Sequence, residues 1–146
     1  MAHPPSDWAA LLAAYRTAVL VTRGADDGHL HARPMTMRQQ VRGEEIWFAT
    51  SFETNKCRDL EAAPQCALVF HDAGDGTTVS VSGTGEVIRD RKLVHELWDA
   101  SWRRWFPEGP DQRDLVLLRV MPEHVERHDG RTARVEVLFS RPRRVK

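Results

Sequence analysis

The sequence predicts an α+β protein, a small antiparallel β-barrel with helices packed outside it, and three observations carry this. Residues 77–88 alternate, with Thr78, Ser80, Ser82 and Thr84 on one face and Val79 and Val81 on the other, which is the period of a strand. Short β-branched or aromatic runs are joined by turns rich in glycine and aspartate, GADDG at 24–28 and DAGDG at 72–76. Helical spacing is confined to three segments, too little to build a helical layer of its own.

Taken in order, Ser6 can cap a first helix that carries Trp8, Leu11, Leu12 and Tyr15 at helical spacing. The run AVLVT (18–22) is a buried strand, and HLHARPMTM (29–37) returns beside it as a hairpin. Pro34 has no N–H to donate, so this strand breaks or lies at an edge there. A second turn at 41–44 leads to the aromatic strand of Ile46, Trp47, Phe48 and Ala49. The next helix opens at Lys56 and ends before Pro64, and CALVFH (66–71) is again a buried strand. Gly83 and Gly85 interrupt the alternating strand, which predicts a bend or bulge where backbone comes close to something. Asp90 caps one amphipathic helix bearing Leu93, Leu97, Trp98, Trp102, Trp105 and Phe106. Strands at 115–120, 125–128 and 135–139 complete the chain, with no repeat and no linker, so residues 1–146 read as one domain. Three tryptophans so close together exceed what a small barrel covers, which predicts that part of this helix meets a second subunit in a homodimer.

Lysine plus arginine and aspartate plus glutamate each total 21, a formal net charge of zero. That argues against a general nucleic-acid binder, and the locally basic RPRRVK (141–146) reads as a disordered tail. No apolar run approaches the ~20 residues of a membrane helix, and MAHPPSDW lacks the charged and apolar regions of a signal peptide. A cytoplasmic protein with no membrane partner is expected. Cys57 and Cys66 are the only cysteines, and reduced thiols are expected there.

The stretch with the most chemistry in it is WFATSFETNKCRDL (47–60). An apolar strand runs into a turn of hydroxyl side chains and then into a helix for which Thr54 or Asn55 is the N-cap. First-turn N–H groups without intrahelical acceptors, the helix dipole and the Lys56 charge together make a phosphate site, with the aromatic strand as an apolar wall for a flat ring. Arg58 could add another charge. Elsewhere the residues read as ordinary surface. Ser80 and Ser82 have no partnered His and Asp at a recognised spacing, and His29 and His31 share a strand face without a third ligand, so no metal site is expected and no catalytic residue is named.

Four motifs, VLVTRGADDGHLHARPM (19–35), IWFATSFETNKCRDL (46–60), VSVSGTGEV (79–87) and ELWDASWRRWFPEGPDQRDLVLLRVMPEHVE (96–126), occur in this order over most of the chain. Together they resemble the FMN-binding split barrels related to pyridoxamine 5'-phosphate oxidase, most closely the general stress protein 26 branch. The resemblance implies a six-stranded antiparallel split barrel, dimeric, with two FMN molecules in clefts between subunits. It implies that Arg33, with Pro34 and Met35, reaches the ribityl phosphate or pyrimidine side. Ala49, Thr50 and Ser51 would line the ring, and Thr54, Asn55 and Lys56 would hold the phosphate. Ser80, Ser82 and Trp105 would border the ring, partly from the other subunit, and His128 stands where relatives often carry a tryptophan against the flavin.

The chain departs from the pattern in two places. The oxidase has arginine where this chain has Asn55, and Glu126, Arg127 and His128 replace an aromatic ending to the late strand. No match to the oxidase's Arg-x-His substrate motif is present, so vitamin B6 oxidation is not implied. Three classes stay open: an FMN-dependent oxidoreductase taking electrons from NAD(P)H to a small-molecule substrate, a flavin-binding stress or sensor protein with little turnover, and a split barrel that holds deazaflavin F420 or haem instead.

Overall fold

The structure is a computed structural model and describes residues 7–142; Ser6 and residues 143–146 of the basic tail lie outside the described residues. The elements are α1 (Asp7–Ala13), β1 (Val19–Arg23), β2 (Leu30–Pro34), β3 (Gln40–Arg42), β4 (Glu45–Ser51), α2 (Asn55–Ala62), β5 (Gln65–His71), β6 (Thr78–Ile88), α3 (Arg91–Leu97), β7 (Leu115–His128) and β8 (Val135–Ser140). One antiparallel sheet runs β2-β1-β5-β6-β7-β4-β3, and β8 pairs with β7 beside this path. As Pro34 requires, β2 is an edge strand and ends at that residue. The chain leaves the sheet there, so the strand is shorter than the 29–37 run predicts, whereas β3 forms where a turn is predicted.

The sheet curls around a core in which Leu20, Leu68, Phe70, Val79 and Val81 meet Ile46, Phe48 and Val120, closed at one side by Trp8 and Leu12 of α1. β4 reads as an unbroken apolar run because both of its faces are covered. Ile46 and Phe48 point into this core, while Trp47 and Ala49, with Leu115 and Leu117 of β7, point out into a second one.

That second core corrects the tryptophan reading. Trp102, Phe106, Val94 and Leu97 pack on Trp47, Leu115 and Leu117, each large side chain contributing about 1.5–3 kcal/mol by burial. Within this chain the apolar face is therefore used, and only Trp105 remains substantially exposed. Nor is the segment one helix. The Asp90 carboxylate accepts from the Lys92 N–H at 2.9 Å to start α3, but Asp99 does the same for Ser101 at 2.8 Å and starts a separate 3-10 turn, Ala100–Arg104. An aspartate that satisfies the N–H two residues ahead competes with helix continuation.

β7 is one strand where two are predicted. Its register against β6 shifts between Ser82 and Gly83, and Glu123 falls outside the pairing. A Cβ on Gly83 would collide with the Met121 carbonyl, which explains glycine at this bulge. At Gly85 a Cβ would lie 2.9 Å from Leu60, so this glycine lets α2 sit down on β6. Among the described residues no helix is long and apolar enough to cross a membrane.

Candidate functional site

β4 delivers the chain into the turn before α2. The Phe52 N–H donates to the Asp114 carbonyl at 2.9 Å, and the Thr54 hydroxyl donates back to the Ser51 carbonyl at 2.8 Å. Thr54 occupies the N-cap position with extended backbone, φ −86° and ψ 152°, but its side chain makes no cap bond. The first turn of α2 thus presents N–H groups without a side-chain acceptor, together with the positive end of the dipole. Lys56 is half-buried in this turn. Burial pushes its ammonium below the ordinary lysine value, and the nearby charge of Arg33 pushes the same way. Two cations face one region, and among the described residues no carboxylate pairs with Lys56.

Arg33 is held from behind. Its Nη1 donates to the Thr22 hydroxyl at 2.7 Å and to the Leu20 carbonyl at 3.3 Å, and its Nη2 lies 3.5 Å from Asp59 Oδ2. Asp59 is only 5% exposed and accepts the Thr22 hydroxyl and the Ala25 N–H, both at 2.9 Å. Sequence reasoning does not single out Asp59. The signal that finds it is a carboxylate set between Cys57 and Leu60 in the buried stripe of a helix, a place where aspartate needs partners.

Arg33, Asn55, Arg58, Asp59 and the 24–27 turn line a cavity of about 300 Å³. Its arginines are matched by acids, Arg58 with Asp26 at 2.8 Å and Arg33 with Asp59, and the His31 ring lies 2.9 Å from Asp27. The uncompensated charge is therefore at Lys56, next to this cavity rather than in its wall.

The other predicted residues divide. Met35, Ala49 and Thr50 are buried, Met35 in the first core and Ala49 in the second, so they can offer a ligand only backbone. Pro34 is exposed at the sheet edge and Ser51 is half-buried beside Thr54. Ser80, Ser82 and His128 are not gathered with Arg33. Arg33 shares the inner face with Leu20, Leu68 and Val81, while Ser80 pairs with Val69 and Glu126 on the outer face. Three strand spacings separate β2 from β6 and four separate it from β7, about 14 and 19 Å. On that face Glu126 lies between two imidazoles, 2.9 Å from His124 and 3.3 Å from His128. Trp105 borders a different cavity, with Arg104 over its ring at 5.3 Å.

Comparison with known proteins fits this architecture. A family model for proteins like pyridoxamine 5'-phosphate oxidase matches residues 6–144. Protein bli-3 of Neurospora crassa is 25% identical over 124 residues, covering 79% of this chain and 59% of that protein, so the chain spans about three fifths of the length of this curated relative. A Clostridium acetobutylicum protein related to general stress protein 26 superposes with a TM-score of 0.78 at 21% identity, covering 89% of each chain. The general stress FMN/FAD binding protein of Xanthomonas citri superposes with a TM-score of 0.71 at 26% identity, over 97% of this chain and 94% of that one. The sheet is the split barrel of these proteins.

Proposed function

This chain belongs to the pyridoxamine 5'-phosphate oxidase-like family, and from that premise we propose that it is a homodimeric FMN-binding protein acting as a flavin-dependent oxidoreductase. The observation that carries the reading is the half-buried Lys56, set beside Arg33 at the open first turn of α2 with no carboxylate partner among the described residues. An uncompensated, half-buried lysine beside an arginine that Asp59 only partly neutralises, at a helix start without a side-chain cap, is an arrangement that favours an anion.

FMN, when bound, supplies electron transfer. Everything else is assigned to the chain. Lys56, the α2 N–H groups and the outer edge of Arg33 hold the phosphate, with Asn55 as an uncharged donor at the rim. Thr22 and Asp59 fix the direction of Arg33, and the turn at Thr50 and Ser51 lines the ring through its backbone.

Because Ser80, Ser82 and His128 are on the far face of the sheet from Arg33, they reach this flavin only from a second copy. The outer face also offers the dimer its surface: Leu30, Val19, Val135 and Val137 are all exposed there. This replaces the tryptophan face as the basis for a homodimer. The electron donor we assign is a reduced nicotinamide.

The first experiment is an absorption spectrum of the purified protein with mass analysis of the ligand released on denaturation, followed by anaerobic mixing with NADPH or NADH. A flavin spectrum, FMN as the released mass and bleaching by one nicotinamide are expected. A haem or deazaflavin spectrum, or a colourless protein that ignores added FMN, would reject the reading.

A further inference from the structure

We infer that the cavity between residues 36–40 and the Ala100–Arg104 turn is a second binding site, built for a flat ring that carries an oxyanion, an aryl carboxylate or an aryl phosphate. As the pocket for the electron-accepting substrate this deepens the flavin reading and rests on it; as a binding site it does not.

The cavity holds about 580 Å³, within the range of small-molecule sites. Arg16, Arg38 and Arg104 line it. Among the described residues none of the three pairs with a carboxylate, in contrast to Arg33 and Arg58, each of which faces an aspartate. The acid in its wall, Asp99, has Oδ1 occupied by the N–H and the hydroxyl of Ser101, at 2.8 and 2.6 Å. In a chain of zero formal charge, three unpaired guanidinium groups around one cavity form a local positive field. A guanidinium fork fits carboxylate or phosphate oxygens in pairs, which makes arginine rather than lysine informative here.

The ring half of the ligand is argued from Trp105. It is 42% exposed beside a second core that buries Trp102 and Phe106, and Arg104 already lies 5.3 Å from its ring centre. An indole face next to a cation is a stacking platform for a flat anion. Arg38 is anchored by donating to the Ala13 carbonyl at 2.7 Å, which fixes its position while leaving further N–H groups free. Residues 33–38 are one continuous segment, so Arg38 is at most roughly 18 Å along the chain from Arg33. A cofactor anchored at Arg33 and a ligand anchored at Arg38 are within reach of each other.

The test is tryptophan fluorescence and calorimetry with benzoate, phenyl phosphate and benzyl alcohol, on the protein as purified and after FMN addition. Benzoate or phenyl phosphate should bind at least about tenfold more tightly than benzyl alcohol, and the tighter of the two anions identifies the source. Arg16→Gln/Arg104→Gln changes two exposed side chains and should weaken the preferred anion about tenfold or more while FMN affinity stays within about twofold. Equal binding of benzyl alcohol, or anion affinity untouched by the double substitution, would overturn the inference. So would loss of FMN in the double variant, which would make this cavity the flavin-phosphate site. A wild-type protein that ignores FMN yet binds the anion through Arg16 and Arg104 would sink the flavin reading alone.

Discussion

The Arg33 guanidinium stands 3.5 Å from the Asp59 carboxylate, longer than a strong charge-assisted bond, because Asp59 is already engaged by the Thr22 hydroxyl and the Ala25 N–H. Asp59 therefore aims Arg33 and ties α2 to the β1–β2 hairpin without neutralising the arginine completely. Asp59→Ala leaves the buried Thr22 hydroxyl and the part-buried Ala25 N–H without their acceptor and should cost about 2–4 kcal/mol. Urea unfolding measures it, and an unchanged midpoint would contradict this account of Asp59. Asp59→Asn, which keeps an acceptor for Ala25, should cost less.

Lys56→Gln separates stability from binding. Lys56 is held below its ordinary value first by burial and then by Arg33, so removing its charge relieves the ligand-free protein, whose melting temperature should hold or rise. FMN should weaken by about 1.5–3 kcal/mol, and riboflavin, which has no phosphate, should not change. Equal weakening of both flavins would remove Lys56 from the phosphate site.

A charge on the outer face should separate the subunits. Val137 is 54% exposed and lies in the row Val19, Val69, Ser80, Glu126 across the sheet. Val137→Glu places a second acid directly against Glu126, and sedimentation velocity should show a monomer with weakened FMN. A variant that stays dimeric would move the interface elsewhere.

Acid should unfold the protein through its turns. Asp75 is held below its ordinary 3.8 by the Thr77 N–H, Asp99 by the Ser101 hydroxyl and Asp129 by the Arg131 N–H. The Glu126 carboxyl is held below 4.5, chiefly by His124. A carboxyl depressed in the folded state adds stability that is present above its unfolded value and lost as pH falls through the folded one. The melting temperature should therefore be flat from about pH 7 to 5 and fall below about pH 4. A profile that stays flat to pH 3 would contradict these depressions.

Much of this was legible in the residues. Period-two alternation located β6 and its faces, Pro34 pointed to a break or a sheet edge, and Gly83 with Gly85 pointed to a bend or bulge, because each follows a local rule. The helix start was legible to within a residue, with Thr54 or Asn55 as the cap; the structure puts Thr54 there, and its hydroxyl turns back to Ser51 instead of capping. What was hidden depends on contacts distant in sequence. Asp59 meets Thr22 and Arg33 of the β1–β2 hairpin, far away in sequence, and Trp102 is buried only because Trp47 and Leu117 point outward to receive it. The break at Asp99 was available locally, but a helical spacing of tryptophans masked it.

The central claim is that the site at Lys56 and Arg33 recognises a flavin by its phosphate. Its most direct test is a calorimetric titration of the ligand-free wild-type protein with FMN and, separately, with riboflavin. The account predicts one FMN per chain, with riboflavin weaker by at least about 3 kcal/mol, roughly two charge-assisted bonds. Riboflavin and FMN binding equally well, or neither binding, would contradict it.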